Sequence, residues 1–218
     1  MQRAVASRRF LSHQVRHLLE VSTAAEADVA KGDLWLQPDF VSEEEARVLV
    51  EEAHGKLKKL RYEPGHYDNV IVNFREVEKP AWTQGTNATV IERLKDQVSR
   101  FMAAPSPVDF LPPHVLDLND TGYIKPHVDH VSYSGVVIAG LSLLSTSVMR
   151  LVHTSHPDRV VRLLLPPRSF YIQRGEFRYN YTHEICERGS LETMFAGQAV
   201  PSARRISIML RDVPIRKP

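Results

Sequence analysis

The chain has 218 residues, 43% of them hydrophobic and 25% charged, which suffices for one domain with a hydrophobic core and excludes a disordered or fibrous chain. No apolar run approaches the roughly 20 residues that span a bilayer, and the single cysteine, Cys186, excludes a disulfide scaffold and a cysteine-built zinc finger. The formal charge of +2 is uneven: residues 1–19 hold four arginines and no acid, so the remainder stands at −2 and offers phosphates little general attraction.

Residues 1–19 carry Arg3, Arg8, Arg9 and Arg16, with Val5, Phe10, Leu11, Val15, Leu18 and Leu19 roughly on one helical face. That composition predicts a mitochondrial transit peptide; a basic amphipathic helix docked on the domain or on a lipid surface is the other reading. Residues 20–33 are small and polar and read as a spacer, with cleavage expected between Leu19 and Asp33. The organisation expected is therefore a leader and spacer over 1–33 and a single domain over 34–218. Ser42 to Glu45 form a capping box before an apolar-periodic helix through Leu49, Ala53, Leu57 and Leu60. Residues 62–86, with Pro64, Gly65, Pro80 and Gly85, lack clear periodicity. A second helix fits 88–101, with Ile91, Leu94, Val98 and Phe101 on one face. Prolines at 105, 107, 112 and 113 close this helical part, 34–110.

Beyond that break the period falls from 3.6 to 2. Strand-like segments fall at about 114–118, 136–144, 148–153, 159–165, 169–173, 178–183 and 204–210, separated by turn residues. This spacing predicts a mostly β core over 111–213, a sandwich or jelly-roll barrel, with the two N-terminal helices covering one face.

His127-Val128-Asp129 puts an imidazole and a carboxylate on the same face of an extended segment, and His183 ends a later predicted strand. Two histidines and one carboxylate on one side of an ion form the facial triad of non-haem iron(II) oxygenases, although zinc hydrolases also use His and Asp. In the last strand, residues 205, 207, 209 and 211 share a face while Ile206, Ile208 and Leu210 take the other. Arg205 and Arg211 on that face could hold the two ends of a short dicarboxylate such as 2-oxoglutarate, since a guanidinium pairs with a carboxylate bidentately. A strand edged by solubilising arginines is the plainer alternative.

The ordered series His127-x-Asp129, His183, Arg205-x-Ser207-x-x-x-Arg211 resembles the AlkB family of Fe(II)/2-oxoglutarate dioxygenases. The resemblance covers about 114–211 and includes Arg178-Tyr-Asn-Tyr-Thr-His183; the runs from His114, Gly122 and Gly140 resemble its mitochondrial branch. It implies a double-stranded β-helix, with His127, Asp129 and His183 on the iron. It also implies Arg205 on the distal 2-oxoglutarate carboxylate, Arg211 near the 1-carboxylate and Asp129, Tyr171 as a cosubstrate hydrogen-bond donor, and Ser207 in the polar slot between the arginines. Where the repair enzymes of the family place an Asn-x-Tyr pair, this chain has Leu116 and Leu118. The family's nucleotide lid is formed by hairpins before the barrel, and residues 62–86 show no convincing pair of them. Tyr62, Tyr67, Phe74 and Trp82 could stack bases, but packing under the helices is the favoured reading.

The expected activity is hydroxylation coupled to oxidative decarboxylation of 2-oxoglutarate, with Fe(II) as cofactor, in the mitochondrial matrix. A protein or other non-duplex macromolecule is the favoured substrate, linked through the resemblance to regulated necrosis and lipid metabolism. Mitochondrial RNA is the second reading, supported by Arg150, Arg159, Arg162, Arg168, Arg174 and Arg178. A regulatory binding protein with little turnover is the third. Duplex DNA and a membrane span are not expected, and the chain is expected to be a monomer.

Overall fold

A computed structural model describes residues 13–79, 81–83, 85–103, 108–201 and 203–214. Most of the arginine-rich leader expected from the sequence, up to residue 12, lies outside the described residues.

A short 3-10 helix, His13–Leu18, leads into β1 (Leu19–Val21), α1 (Ala24–Asp33) and β2 (Leu34–Gln37). Residues 20–33 are therefore not a spacer. Val15 and Leu18 are buried, and β1 pairs with β8 (His156–Leu165) through Leu19 opposite Leu163. Thr23 caps α1, whose Glu26 is fully buried against the guanidinium of Arg159 and the Tyr181 hydroxyl. A buried carboxylate is tolerated only when paired, so this contact commits the segment to the domain. The small polar residues concealed it, because its partner lies 133 residues away.

In α2 (Glu43–Leu57) the expected capping box is present: Glu45 N–H donates to Ser42 Oγ at 3.1 Å and Ser42 N–H to Glu45 Oε2 at 2.8 Å. Helix α3 (Gly85–Met102) buries Val90, Ile91, Leu94, Val98 and Phe101 beside Leu49, Ala53 and Leu57 of α2. At about 1.5–3 kcal/mol for each such large side chain, this burial outweighs any difference in helix propensity. Arg93 of α3 ties the pair together through Glu45 at 2.8 Å.

Between the helices, the stretch expected to be irregular contains a hairpin, β3 (Glu63–Gly65) and β4 (Ile71–Glu78). Phe74 is buried in the barrel interior and Trp82 under the helices, Tyr62 donates to Asp117, and Tyr67 at the hairpin turn is 87% exposed. The first strand of the core, β5 (His114–His127), is much longer than 114–118. It is followed by β6 (Val137–Leu143), β7 (Ser147–His153), β8, β9 (Phe170–Arg174) and α4 (Gly175–Tyr179). Then come β10 (Tyr181–Ile185), a 3-10 turn at Leu191–Thr193, a small pair β11 (Met194–Phe195) and β12 (Gln198–Ala199), and β13 (Arg205–Arg211). The strand expected over 178–183 is thus split between the end of α4 and the start of β10.

The principal sheet runs β1-β8-β7-β10-β5-β13-β6-β9-β2, with β3 and β4 joined to it through β5. Since β1 and β2 are its two ends, the helical part and the β core share one sheet, and no boundary near 110 separates them. The long β5 belongs to both layers of the jelly roll. Its first half pairs with β13 through residues 114–118, and its second half pairs with β10 through Ile124 and His127. Along β13 the period of 2 is explicit: Ile206, Ile208 and Leu210 pack with the helices, while Arg205, Ser207, Met209 and Arg211 line the barrel cavity.

Candidate metal centre

The second half of β5 delivers His127 to the barrel mouth, and β10 places His183 directly opposite it in register. Asp129 follows where the chain leaves β5. The three donor atoms lie within 4.8 Å of one another, the only such group of three or more His, Cys, Asp or Glu among the described residues. Asp129 Oδ1 stands 3.2 Å from His127 Nε2 and 3.6 Å from His183 Nε2. His127 Nδ1 donates to the Lys125 carbonyl at 2.9 Å, which orients the ring so that Nε2 faces the group. Burial, reinforced by the neighbouring His127, lowers the His183 pKa to about 3, so that imidazole is neutral at physiological pH. Burial opposes ionisation of Asp129, but the His127 hydrogen bond and the Arg211 charge overcome it and hold the carboxyl well below its usual range. Two imidazoles and one carboxylate on one side fit a divalent iron.

Arg211 is anchored on the triad's carboxylate. Its Nε donates to Asp129 Oδ2 at 2.9 Å. That is the place beside Asp129 which the resemblance implied for Arg211, and its guanidinium still lines the cavity with Arg205. Arg205 is 3% exposed; its Nε donates to Ser142 Oγ at 3.2 Å, and no carboxylate pairs with it among the described residues. Burial lowers its pKa, with only Tyr171 acting in the opposite sense. Beside it, the buried Ser207 hydroxyl has no partner. A buried cation and an unsatisfied hydroxyl facing one cavity call for an anion that accepts hydrogen bonds. The residues present therefore fit a bound carboxylate.

Tyr171, 5% exposed, reaches the same cavity from β9, across from Gly140 on β6. A Cβ at Gly140 would lie 2.7 Å from the Tyr171 hydroxyl oxygen, so glycine creates the slot in which the phenol lies. Leu116, Ile124, Met149 and Met209 give the inner cavity, about 40 Å³, an apolar wall, and His114 and Glu184 also line it. Leu116 thus stands at the wall, whereas Leu118 packs in the barrel core beyond it. Outside lies a vestibule of about 330 Å³ shared through His114, Met209 and Arg211, and walled by Leu111, Pro112, Tyr133 and Pro214. His114 donates from Nε2 to Glu76 at 2.9 Å.

Three contributors were not legible in the sequence. Ser134 Oγ donates to Asp129 Oδ2 at 3.4 Å, Arg178 donates to the Asp129 carbonyl at 2.8 Å, and Asp212 accepts from the loop that follows. In the sequence Arg178 stands at the start of the family-like run to His183 and among the arginines that supported RNA, with no sign of a role at Asp129. Its direction into the protein depends on α4, which the periodicity did not reveal.

No family model matches the chain. The mouse protein called alpha-ketoglutarate-dependent dioxygenase alkB homolog 7, mitochondrial (Mus musculus), is 45% identical over 181 residues, covering 82% of this chain and 78% of the relative. Among solved structures, OsALKBH1 matches with a TM-score of 0.58 at 15% identity, over 82% of this chain and 97% of that one. A Pseudomonas putida prolyl-4-hydroxylase matches with a TM-score of 0.58 at 13% identity, over 88% and 98%.

Proposed function

The chain belongs to the AlkB family of Fe(II)- and 2-oxoglutarate (alpha-ketoglutarate)-dependent dioxygenases, and on that premise we propose that it is a mitochondrial hydroxylase of a protein substrate. The observation that carries the site assignment is the conjunction of the His127-Asp129-His183 group with a buried, acid-free Arg205 around one cavity. His127, Asp129 and His183 would hold Fe(II), and Arg205, with Tyr171 and Ser207, would hold the distal carboxylate of 2-oxoglutarate. Iron and 2-oxoglutarate, when bound, supply oxidative decarboxylation coupled to hydroxylation of a substrate C–H bond. The chain's own part is orientation and exclusion of water. Arg211 keeps the Asp129 carboxylate ionised and aimed, and the Lys125 carbonyl fixes the His127 tautomer. Leu116, Ile124, Met149 and Met209 supply the apolar part of the inner cavity's wall.

A protein substrate is supported by the fate of the six arginines that favoured RNA. Each is engaged within the chain: Arg150 with Glu184 and Glu192, Arg159 with Glu26, Arg162 with Glu192, and Arg168 with Asp39. Arg174 donates to the Gly32 and Phe101 carbonyls, and Arg178 to those of residues 129, 134 and 135. No free basic track is left from this set to follow a phosphate backbone. Among the described residues a single short hairpin precedes the barrel, where gripping a flipped base would need a lid. The vestibule, about 330 Å³, combines apolar walls at Leu111, Pro112, Met209 and Pro214 with Glu78, His114 and Arg211, and has room for an inserted side chain. Its relative's mitochondrial name agrees with the arginine-rich N-terminus, and the matrix is the compartment proposed.

The test is 2-oxoglutarate turnover, read as succinate release by the full chain with Fe(II), in three arms: a mitochondrial protein extract, single-stranded RNA and alkylated duplex DNA. Stimulation by the protein extract alone is expected, and its absence in Asp129→Ala and His183→Ala ties it to the triad. Stimulation by RNA or duplex, without the protein arm, overturns the substrate assignment.

A further inference from the structure

Arg178 is 1% exposed, yet no carboxylate pairs with its guanidinium among the described residues. All three of its nitrogens instead donate to backbone carbonyls: Nη1 to Asp129 at 2.8 Å, Nη2 to Ser134 at 3.0 Å and Nε to Gly135 at 3.1 Å. Those acceptors belong to one loop, 129–135, which begins at the carboxylate of the triad and ends at the start of β6. The far end of the loop is held from the other side by Asp212. Its carboxylate accepts from Val136 N–H at 3.0 Å and Val137 N–H at 2.9 Å, and its carbonyl accepts from Gly135 N–H at 3.0 Å. A Cβ at Gly135 would fall 2.3 Å from that carboxylate, so the loop is drawn in too tightly for any side chain there.

Both clamps adjoin residues of the site. Arg178, on α4, lies five positions before His183 of β10, and Asp212 directly follows Arg211 at the end of β13, so the loop is stapled beside the two strands that complete the centre. Between the staples, Ser132 and Tyr133 line the vestibule, with Tyr133 71% exposed. A buried guanidinium is costly and offers five donors in a fixed fork; spending it on carbonyls of one loop makes sense only where that loop must keep one shape.

We propose that Arg178 is a positioning residue for the metal centre, fixing the backbone of Asp129 and the adjoining substrate-facing loop in the metal-ready geometry before the ion binds. The proposal rests on the reading of His127, Asp129 and His183 as the iron ligands. It goes beyond that reading by assigning the geometry of one ligand to a residue that contacts neither iron nor 2-oxoglutarate.

The experiment compares the full chain with Arg178→Lys, Arg178→Met and Asp129→Ala, using Co(II) as probe: affinity by titration, coordination by the ligand-field spectrum. Amide hydrogen exchange of the metal-free proteins is measured alongside. Arg178→Lys keeps the charge but cannot span three carbonyls; it should weaken Co(II) binding by about 10- to 100-fold, the usual effect of losing an outer partner of a ligand. It should also alter the spectrum and speed exchange within 129–135 while near-UV circular dichroism stays native. Arg178→Met should be more severe, and if it does not fold the lysine variant decides. A folded lysine variant that melts lower but binds Co(II) with wild-type affinity and spectrum assigns Arg178 a merely structural role and overturns the proposal. Wild-type Co(II) binding by Asp129→Ala would overturn the triad reading itself, a distinct failure.

Discussion

Arg205→Met separates a ligand-binding arginine from a structural one by the sign of its effects. Without ligand, the variant loses one hydrogen bond to Ser142, worth about 1 kcal/mol. It also removes a buried guanidinium that has no acid beside it, a burden of several kcal/mol in the interior. The ligand-free melting temperature should therefore stay level or rise. With 2-oxoglutarate the balance reverses, because charge-assisted hydrogen bonds worth about 1.5–3 kcal/mol are lost, or about 10- to 140-fold in affinity. Wild-type protein at a ligand concentration 100 times its dissociation constant gains about 2.7 kcal/mol. For a chain of this size that is a rise of about 5–11 °C. A 100-fold weaker variant under the same conditions gains about 0.4 kcal/mol, a rise of about 1–2 °C. The assay is an anaerobic thermal melt with Fe(II), with and without 2-oxoglutarate. A variant that keeps the full ligand-induced rise would refute the assignment of the distal carboxylate to Arg205. A fall of many degrees without ligand would show that the guanidinium is already satisfied within the fold.

Gly140→Ala should lower stability by about 1–3 kcal/mol, as overpacking does, and weaken 2-oxoglutarate binding by displacing the Tyr171 ring; titration of the folded variant checks it, and unaltered binding would take Tyr171 out of the site. A chain beginning at Leu34 should melt far below the full chain, or fail to fold, since it lacks β1 and the Glu26 partner of Arg159; equal melting temperatures would show that residues 13–33 are dispensable. Hydrogen bonding to Arg93 lowers the Glu45 pKa to about 2. A folded-state pKa below the unfolded one stabilises above the unfolded value, near 4.5, and the contribution is lost as pH falls toward 2. Glu45→Gln should therefore cost about 1 kcal/mol at pH 7, discounted for partial exposure. The gap from wild type should close between pH 4.5 and 2 in urea melts; a gap independent of pH would refute the ion pair as its source.

Local pattern carried much of this protein. The capping box at Ser42, the periodicity of α3 and the alternation along 205–211 depend on neighbours within a few residues, and the two helices and the two-faced last strand follow from them. The motif series was likewise readable, because two of the three candidate donors, His127 and Asp129, stand two positions apart in the chain. The tertiary structure decided everything that depends on a distant partner. Residues 20–33 look like a spacer until Arg159 meets Glu26, and 62–86 look irregular until β4 finds β5. Six arginines that suggest a nucleic-acid surface are each engaged within the fold. The last strand places Arg205 and Arg211 on one face without saying that one will neutralise Asp129 and the other stand buried without an acid. A charge at one position reads the same whether it faces water, a carboxylate or an empty cavity. Which of these it meets is set by residues far away in the chain, and only folding brings them together.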